Sequence, residues 1–344
     1  MNSKIIVIAV VVVVVAVGVT SAAMMGLNNK DPSEIEVYQS DGTTKSVPYN
    51  PQKVVCLSTY TCEVMMFLGV TDRVVGTCTT TFNNIDLKEA YKGSTDVGAF
   101  NGPNIQEILK LEPDLVISYP GYPTVDEAMD DVGLKYVHIK CADAETIVKE
   151  VEGLGKLFKK ETEAKKYTDY ANGIFEKIDG LVKNITTKKT VYMTSFATFN
   201  KASSSTSAYY KLAQRAGANM IYEPGASAIT IQAADLLSKD PQIIIETPML
   251  SGMVDGKAAT TYNAVMNDTT FSELQALQNK NLYLICSQLF GGPRCFAGLV
   301  ACYNIMYSDV SPSGLTWDGT LKDYNKLMGL STSIDSLYYP TATA

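Results

Sequence analysis

The chain has 344 residues, enough for two ordinary domains each with its own core. At 46% hydrophobic and 19% charged residues it has the composition of a globular protein, with no low-complexity tract past the N-terminus. A formal net charge of −7 argues against a nucleic-acid partner, which needs clustered Lys and Arg.

Lys4 precedes an apolar run, Ile5 to Val19, and the small residues Ser21 and Ala23 follow it. Residues 1–27 therefore fit a signal peptide. Left uncleaved and extended to Leu27, the same run is near the length of an N-terminal membrane anchor. Either way the remainder is expected to be exported, held at the membrane or secreted after cleavage. The first cysteine is Cys56, too far downstream to carry a lipid anchor. Of the seven cysteines, Cys56 and Cys286 fall in apolar strand-like runs, and Cys295 and Cys302 lie in a helical one. That placement reads as small buried hydrophobes, with one or two bridges left open.

Residues 28–142 read as an N-terminal α/β lobe. EIEVYQSDGTTKSVPY is a hairpin with Asp41-Gly42 at its turn. Strands are expected at Lys53 to Leu57, Arg73 to Gly76 and Lys135 to Ile139, with a helix from Thr61 to Leu68. Residues 143–187 carry no proline and place apolar residues at helical spacing, from Ile147 through Phe158 to Leu181. About forty helical residues would run about 60 Å, longer than one lobe, so a single long helix is expected to link two lobes, kinked near Gly153 or Gly155. Residues 188–344 then read as a C-terminal α/β lobe with terminal helices and a tail.

The two lobes echo each other. IQEILKLEPDLVI, from Ile105, and AADLLSKDPQIII, from Ala233, are each a short amphipathic helix, an acid-proline pair and an apolar run. Proline ends each helix, and each run fits a strand buried on both faces of a parallel sheet. The expected fold is α/β: two Rossmann-like lobes with mostly parallel sheets, joined by the long helix, with a ligand cleft between them.

The blocks PQKVVCLSTYTCEVMMFLGVTDRVVG (from Pro51), VGAFNGPNIQEILKLEPDLVIS (from Val97), AGANMI, IQAADLLSKDPQIII, and FSELQALQNKNLYLI with GGPRCFAGLVACYNIMY follow in order. Together they resemble the helical-backbone (class III) substrate-binding proteins of ABC importers, the group that takes iron-siderophores, haem and cobalamin. The resemblance covers about Ile35 to Tyr307. It implies no catalytic role and no cofactor, a ligand that is a metal chelate or corrinoid, and an ABC permease as partner. Members of the group generally dock on that permease through one glutamate in each echo helix. The matching positions here are Gln106 and Ala234, and the nearest acids are Glu107 and Asp235. A surface receptor or scavenger of the same fold without a standard permease is therefore the second reading, and an enzyme the third.

Ligand residues are expected in loops at strand C-termini, where open α/β sheets present their sites. The N-lobe offers Tyr60, Thr79, Phe82, Phe100, Tyr119 and Tyr122. The C-lobe offers Phe196, Ser205 in a Ser/Thr run, Tyr209, Met249 and Phe290, with Arg294 after GGP as a possible anion clamp. The resemblance places Phe100 and Tyr119 at cleft positions. The sole histidine, His138, lies in a strand and fits a structural role, and one histidine does not make a bare-metal site. No G-x-S-x-G, P-loop or G-x-G-x-x-G run is found.

Overall fold

The computed structural model describes residues 31–194, 199–331 and 337–340. Residues 1–27, where an export segment is expected, lie outside them. No helix among the described residues is long and apolar enough to cross a membrane.

The N-lobe opens with the antiparallel hairpin β1 (Glu34–Tyr38) and β2 (Thr44–Pro48), with Glu34 opposite Pro48 and Tyr38 opposite Thr44. Val37 and Val47 point inward and their neighbours outward, the period-two pattern of a half-buried ribbon. Next come β3 (Val54–Cys56), α1 (Thr59–Phe67), β4 (Val74–Thr77), β5 (Thr95–Asp96), α2 (Ile105–Lys110), β6 (Leu115–Ser118) and β7 (Tyr136–His138). The sheet runs β5-β4-β3-β6-β7 with every neighbouring pair parallel. Ser58 caps α1 by accepting from Thr61 N, and Asn104 caps α2 by accepting from Gln106 N and Glu107 N.

The single long helix expected at 143–187 is two helices. α3 (Ile147–Leu157) packs on β1 and belongs to the N-lobe, and α4 (Glu161–Val182) makes the crossing alone. The chain turns back at Lys159, whose φ is +57°. Lys160 N donates to Gly155 O (2.7 Å) and Lys159 N to Lys156 O (3.3 Å), closing the last carbonyls of α3 around a left-handed residue. At about 1.5 Å per residue α4 spans about 33 Å, the width of one lobe.

The C-lobe consists of β8 (Thr190–Thr194), β9 (Asn219–Met220), α5 (Ala233–Lys239), β10 (Ile243–Glu246), β11 (Leu282–Ile285), α6 (Cys295–Tyr307), α7 (Trp317–Met328) and β12 (Tyr338–Tyr339). Its sheet runs β9-β8-β10-β11-β12, parallel except for β12. The order β9-β8-β10-β11 repeats β4-β3-β6-β7, so the two echo strands, β6 and β10, occupy the same place in their sheets. Both echo units end their helix alike: Glu112 and Asp240, each before a proline, hold φ of +47° and +39°.

One apolar core runs through both lobes. At the junction Phe67 of α1 stacks on Tyr167 of α4 at 5.3 Å, and Tyr167 meets Phe296 of α6 and Tyr324 of α7, each at 6.2 Å. α6 is buried nearly all round, as its uninterrupted apolar sequence requires. All seven cysteines are free and buried, so neither of the bridges left open by the sequence forms.

Candidate functional site

Where the lobes meet, the loops after β3 and β7 pack against the loop after β11. Tyr60, in the first turn of α1, lies flat against the C-lobe backbone. A Cβ added at Gly292 (φ +85°) would fall 2.4 Å from the Tyr60 ring, so only glycine admits this contact. Gly292 N also donates to Ala142 O (3.0 Å), a second tie between the lobes.

From Tyr60 an aromatic wall extends in both directions. On the N-lobe side Phe100, Tyr119 and Tyr122 form a triangle with ring centres 5.2, 5.6 and 6.4 Å apart. On the C-lobe side Tyr209 meets Phe290 edge-on at 5.7 Å. Tyr209 and Tyr119 lie within electrostatic reach of the Tyr60 hydroxyl. Burial holds the Tyr60 phenol well above the ordinary range, with Tyr209 and Tyr119 adding to it; burial and then Asp143 and Tyr122 do the same at Tyr119, and burial raises Tyr209. All three are neutral O–H groups at neutral pH, able to orient a ligand by hydrogen bonds and unsuited to binding a bare cation as phenolates.

The structure corrects two expectations about this wall. Phe290 is fully buried behind Tyr209, so it supports the wall without facing the cleft. Arg294 is 2% exposed and offers no guanidinium to solvent. Its Nε donates to Glu63 Oε1 at 2.9 Å and its Nη2 lies 2.8 Å from Asp86 Oδ2, while Tyr324 OH donates to the same Glu63 oxygen at 2.9 Å. Burial disfavours the guanidinium charge, but Glu63 and then Asp86 outweigh it and keep Arg294 protonated. Arg294 is an internal strap between C-lobe and N-lobe. It does not clamp an anion.

Thr79, Phe82, Ser205 and Met249 sit on the expected loops. Thr79 Oγ1 donates to Asp96 Oδ1 (2.8 Å), and Phe82 is half-buried at the end of the helix Thr79–Phe82. Ser205 is tied to Gly225 through both its backbone and its hydroxyl, which fixes the Ser/Thr run as a structured turn. Met249 is 74% exposed, a large apolar side chain open to a partner or ligand. Phe196 lies outside the described residues. His138 is structural: Nε2 pairs with Asp126 Oδ1 at 3.0 Å and its ring meets Tyr136.

Comparison with known proteins bears on this geometry. Residues 54–289 match the family model described as periplasmic binding protein. The chain belongs to the periplasmic binding protein family. It is 29% identical over 161 residues to the Petrobactin-binding protein YclQ of Bacillus subtilis, and 34% identical over 79 residues to the Probable siderophore-binding lipoprotein YfiY of the same organism. These alignments cover 44% and 22% of this chain and only 48% and 24% of those proteins. In three dimensions the fold is similar to the TroA-like periplasmic binding protein FepB of Veillonella parvula, with a TM-score of 0.74 at 20% identity over 88% of this chain and 99% of that one.

On this periplasmic binding protein the two echo helices are surface elements. Gln106 and Ala234 are both exposed. Glu107 is half-buried and paired with Lys110, while Asp235 is exposed and accepts from Tyr222 OH at 2.7 Å. Sequence reasoning missed the Glu63–Asp86–Tyr324 network around Arg294. Its signal was present: Glu63 is the one charge in TCEVMMFLG, and a charge inside such a run has to find a buried partner. It also missed Glu246 at the end of β10, 2% exposed, with burial pushing its pKa up to about 7.

Proposed function

We propose that this chain is an extracytoplasmic solute-binding protein that captures a metal chelate or corrinoid between its lobes and delivers it to an ABC importer. The observation that carries the reading is the aromatic wall spanning both lobes where the strand ends meet. Rings supply contact area to a large flat or chelated ligand, and neutral phenols orient it. Family membership supports it, as do the names of two relatives, a petrobactin-binding protein and a probable siderophore-binding lipoprotein. The N-terminal run at 1–27 fits export, either as a cleaved signal or as an anchor.

The test is tyrosine and tryptophan fluorescence of the purified full chain, titrated with ferric siderophores, haem and cobalamin. Quenching by at least one at about micromolar concentration is expected, and a flat response to all of them would sink the reading.

Delivery to a permease is the part of the proposal with a competitor. Exposed Gln106 and Ala234 stand where related proteins carry docking glutamates, and this favours as second reading a receptor or scavenger with no standard permease. We assign docking to Glu107 and Asp235. Charge reversal at both is expected to leave ligand quenching unchanged and to abolish permease-dependent uptake. Uptake at the original rate would remove the docking assignment and favour the scavenger.

A further inference from the structure

We propose that the Cys56–Cys62 thiol pair is a binding site for a soft, thiophilic monovalent cation, Cu(I) or Ag(I), held between two sulfurs inside the N-lobe. The proposal stands whatever ligand fills the cleft between the lobes.

The path of the chain brings the two sulfurs together. Cys56 ends β3, Ser58 caps α1, and Cys62 lies one turn into that helix, its N–H donating to Ser58 O at 2.9 Å. Both residues are fully buried, and their thiols are hydrogen-bonded to each other. Hydroxyls complete the setting: Cys62 Sγ lies 3.3 Å from Thr77 Oγ1, and Thr81 Oγ1 donates to it at 3.8 Å. Burial works against a thiolate at Cys62, but the hydrogen bonds with Cys56, Thr77 and Thr81 outweigh it and hold its pKa below the ordinary thiol value. Burial, and then Cys62 itself, push Cys56 well up. One sulfur is therefore the acceptor and the other the donor, with a single proton between two soft atoms. A soft cation can take the place of that proton.

A polar route leads to the pair from the surface. Thr80 is exposed, and its Oγ1 lies 3.2 Å from Cys78 Sγ. Cys78 Sγ in turn lies 3.6 Å from Thr81 Oγ1, the hydroxyl that reaches Cys62. This row of hydroxyls and a third thiol offers an entering ion donor atoms at each step, so loading does not require a bare cation to cross apolar packing.

Coordination number decides the ion. Among the described residues no group of three or more His, Cys, Asp or Glu side chains could hold a metal. Zinc takes four ligands in structural sites, so two sulfurs do not satisfy it. Thiolates select soft ions, and Cu(I) and Ag(I) are satisfied by two sulfurs in line. Binding converts two S–H groups and one monovalent cation into a bis-thiolate complex and releases two protons to solvent, so affinity rises with pH.

The experiment uses the full chain, reduced and kept free of oxygen, titrated with Cu(I) against a colorimetric Cu(I) chelator. One equivalent is expected to bind, and X-ray absorption of the loaded native chain should show two sulfur neighbours and no others. Affinity should rise by roughly tenfold or more from about pH 6 to about pH 8. Cys56→Ser and Cys62→Ser are each expected to weaken binding by roughly tenfold or more, while Cys302→Ala, at a C-lobe thiol whose pKa is raised by burial alone, leaves it unchanged. Zn(II) at the same concentration should not displace the ion. The proposal is overturned if the native chain takes up no Cu(I), if the sulfur count is not two, if affinity is flat with pH, if Cys302→Ala weakens binding as much as Cys56→Ser, or if Zn(II) competes. The sulfur count is read on the unaltered chain, so a variant that fails to fold does not shelter the proposal.

Discussion

Glu246 closes β10 with a carboxyl that burial alone pushes from an ordinary 4.5 up to about 7. An acid raised in this way keeps its proton in the folded state over a range where the unfolded chain has lost it. Stability therefore falls as pH rises from about 4.5 to about 7, and is level above that. At pH 8 the buried charge costs roughly 3 kcal/mol. Glu246→Gln, which keeps the shape without the charge, is expected to raise the urea midpoint at pH 8 and leave it nearly unchanged at pH 4. Glu150 of α3, also raised chiefly by burial, acts in the same direction, so the slope in the variant should shrink without vanishing. Equal gains at both pH values would refute the assignment to ionisation. Where Arg294 is concerned, one residue shows two opposed possibilities of the same chemistry: a guanidinium at a helix start can clamp a ligand or bind internal acids. The position of Glu63 and Asp86 settles it.

At the scale of elements, the turn between α3 and α4 depends on close packing at Gly155. A Cβ there would lie 2.5 Å from Ala164 Cβ and 3.3 Å from Lys160 O. Helix propensity alone makes Gly→Ala favourable by about 1 kcal/mol in a helix interior. Overpacking costs about 1–3 kcal/mol, and the contact distances say it wins. Gly155→Ala is thus expected to lower the denaturant midpoint, and a stabilised variant would show that the helices do not meet this closely. The same turn explains what the sequence could and could not tell. Both echo units, the hairpin and the strands β3, β4 and β7 announce themselves by period and turn chemistry, and so does the helical character of 147–182. The break at Lys159 does not. Its left-handed position is held by a lysine where glycine would have marked it, and the apolar spacing continues across the gap. The aromatic wall was legible as a set of loop residues because strand-end loops are where sites form. Which members face the cleft was not: Phe290 and Arg294 are decided by packing between lobes, and Tyr60 by two glycines far away in sequence.

The molecule as a whole is joined more firmly than two lobes and one helix would require. The core is continuous through Phe67, Tyr167, Phe296 and Tyr324, and polar ties reinforce it at Arg294–Glu63, Arg294–Asp86, Tyr167 OH to Pro293 O and Gly292 N to Ala142 O. The Arg294 network is the tie whose loss is hardest to absorb. Removing the guanidinium leaves two carboxylates buried and facing each other, at a cost of about 3–5 kcal/mol. The chain is therefore expected to unfold in one transition, with both lobes lost together. Its only tryptophan, Trp317, lies in α7 stacked on Tyr338, so its fluorescence reports the C-lobe, while circular dichroism reports all helices. In urea the two signals should coincide for the native chain. Arg294→Ala should lower the midpoint and still leave the two curves coincident, because the continuous core and the remaining ties keep the lobes together. Curves that separate in the unaltered chain would mean the lobes are independent units, and the junction residues would then lose their role in setting the geometry of the cleft.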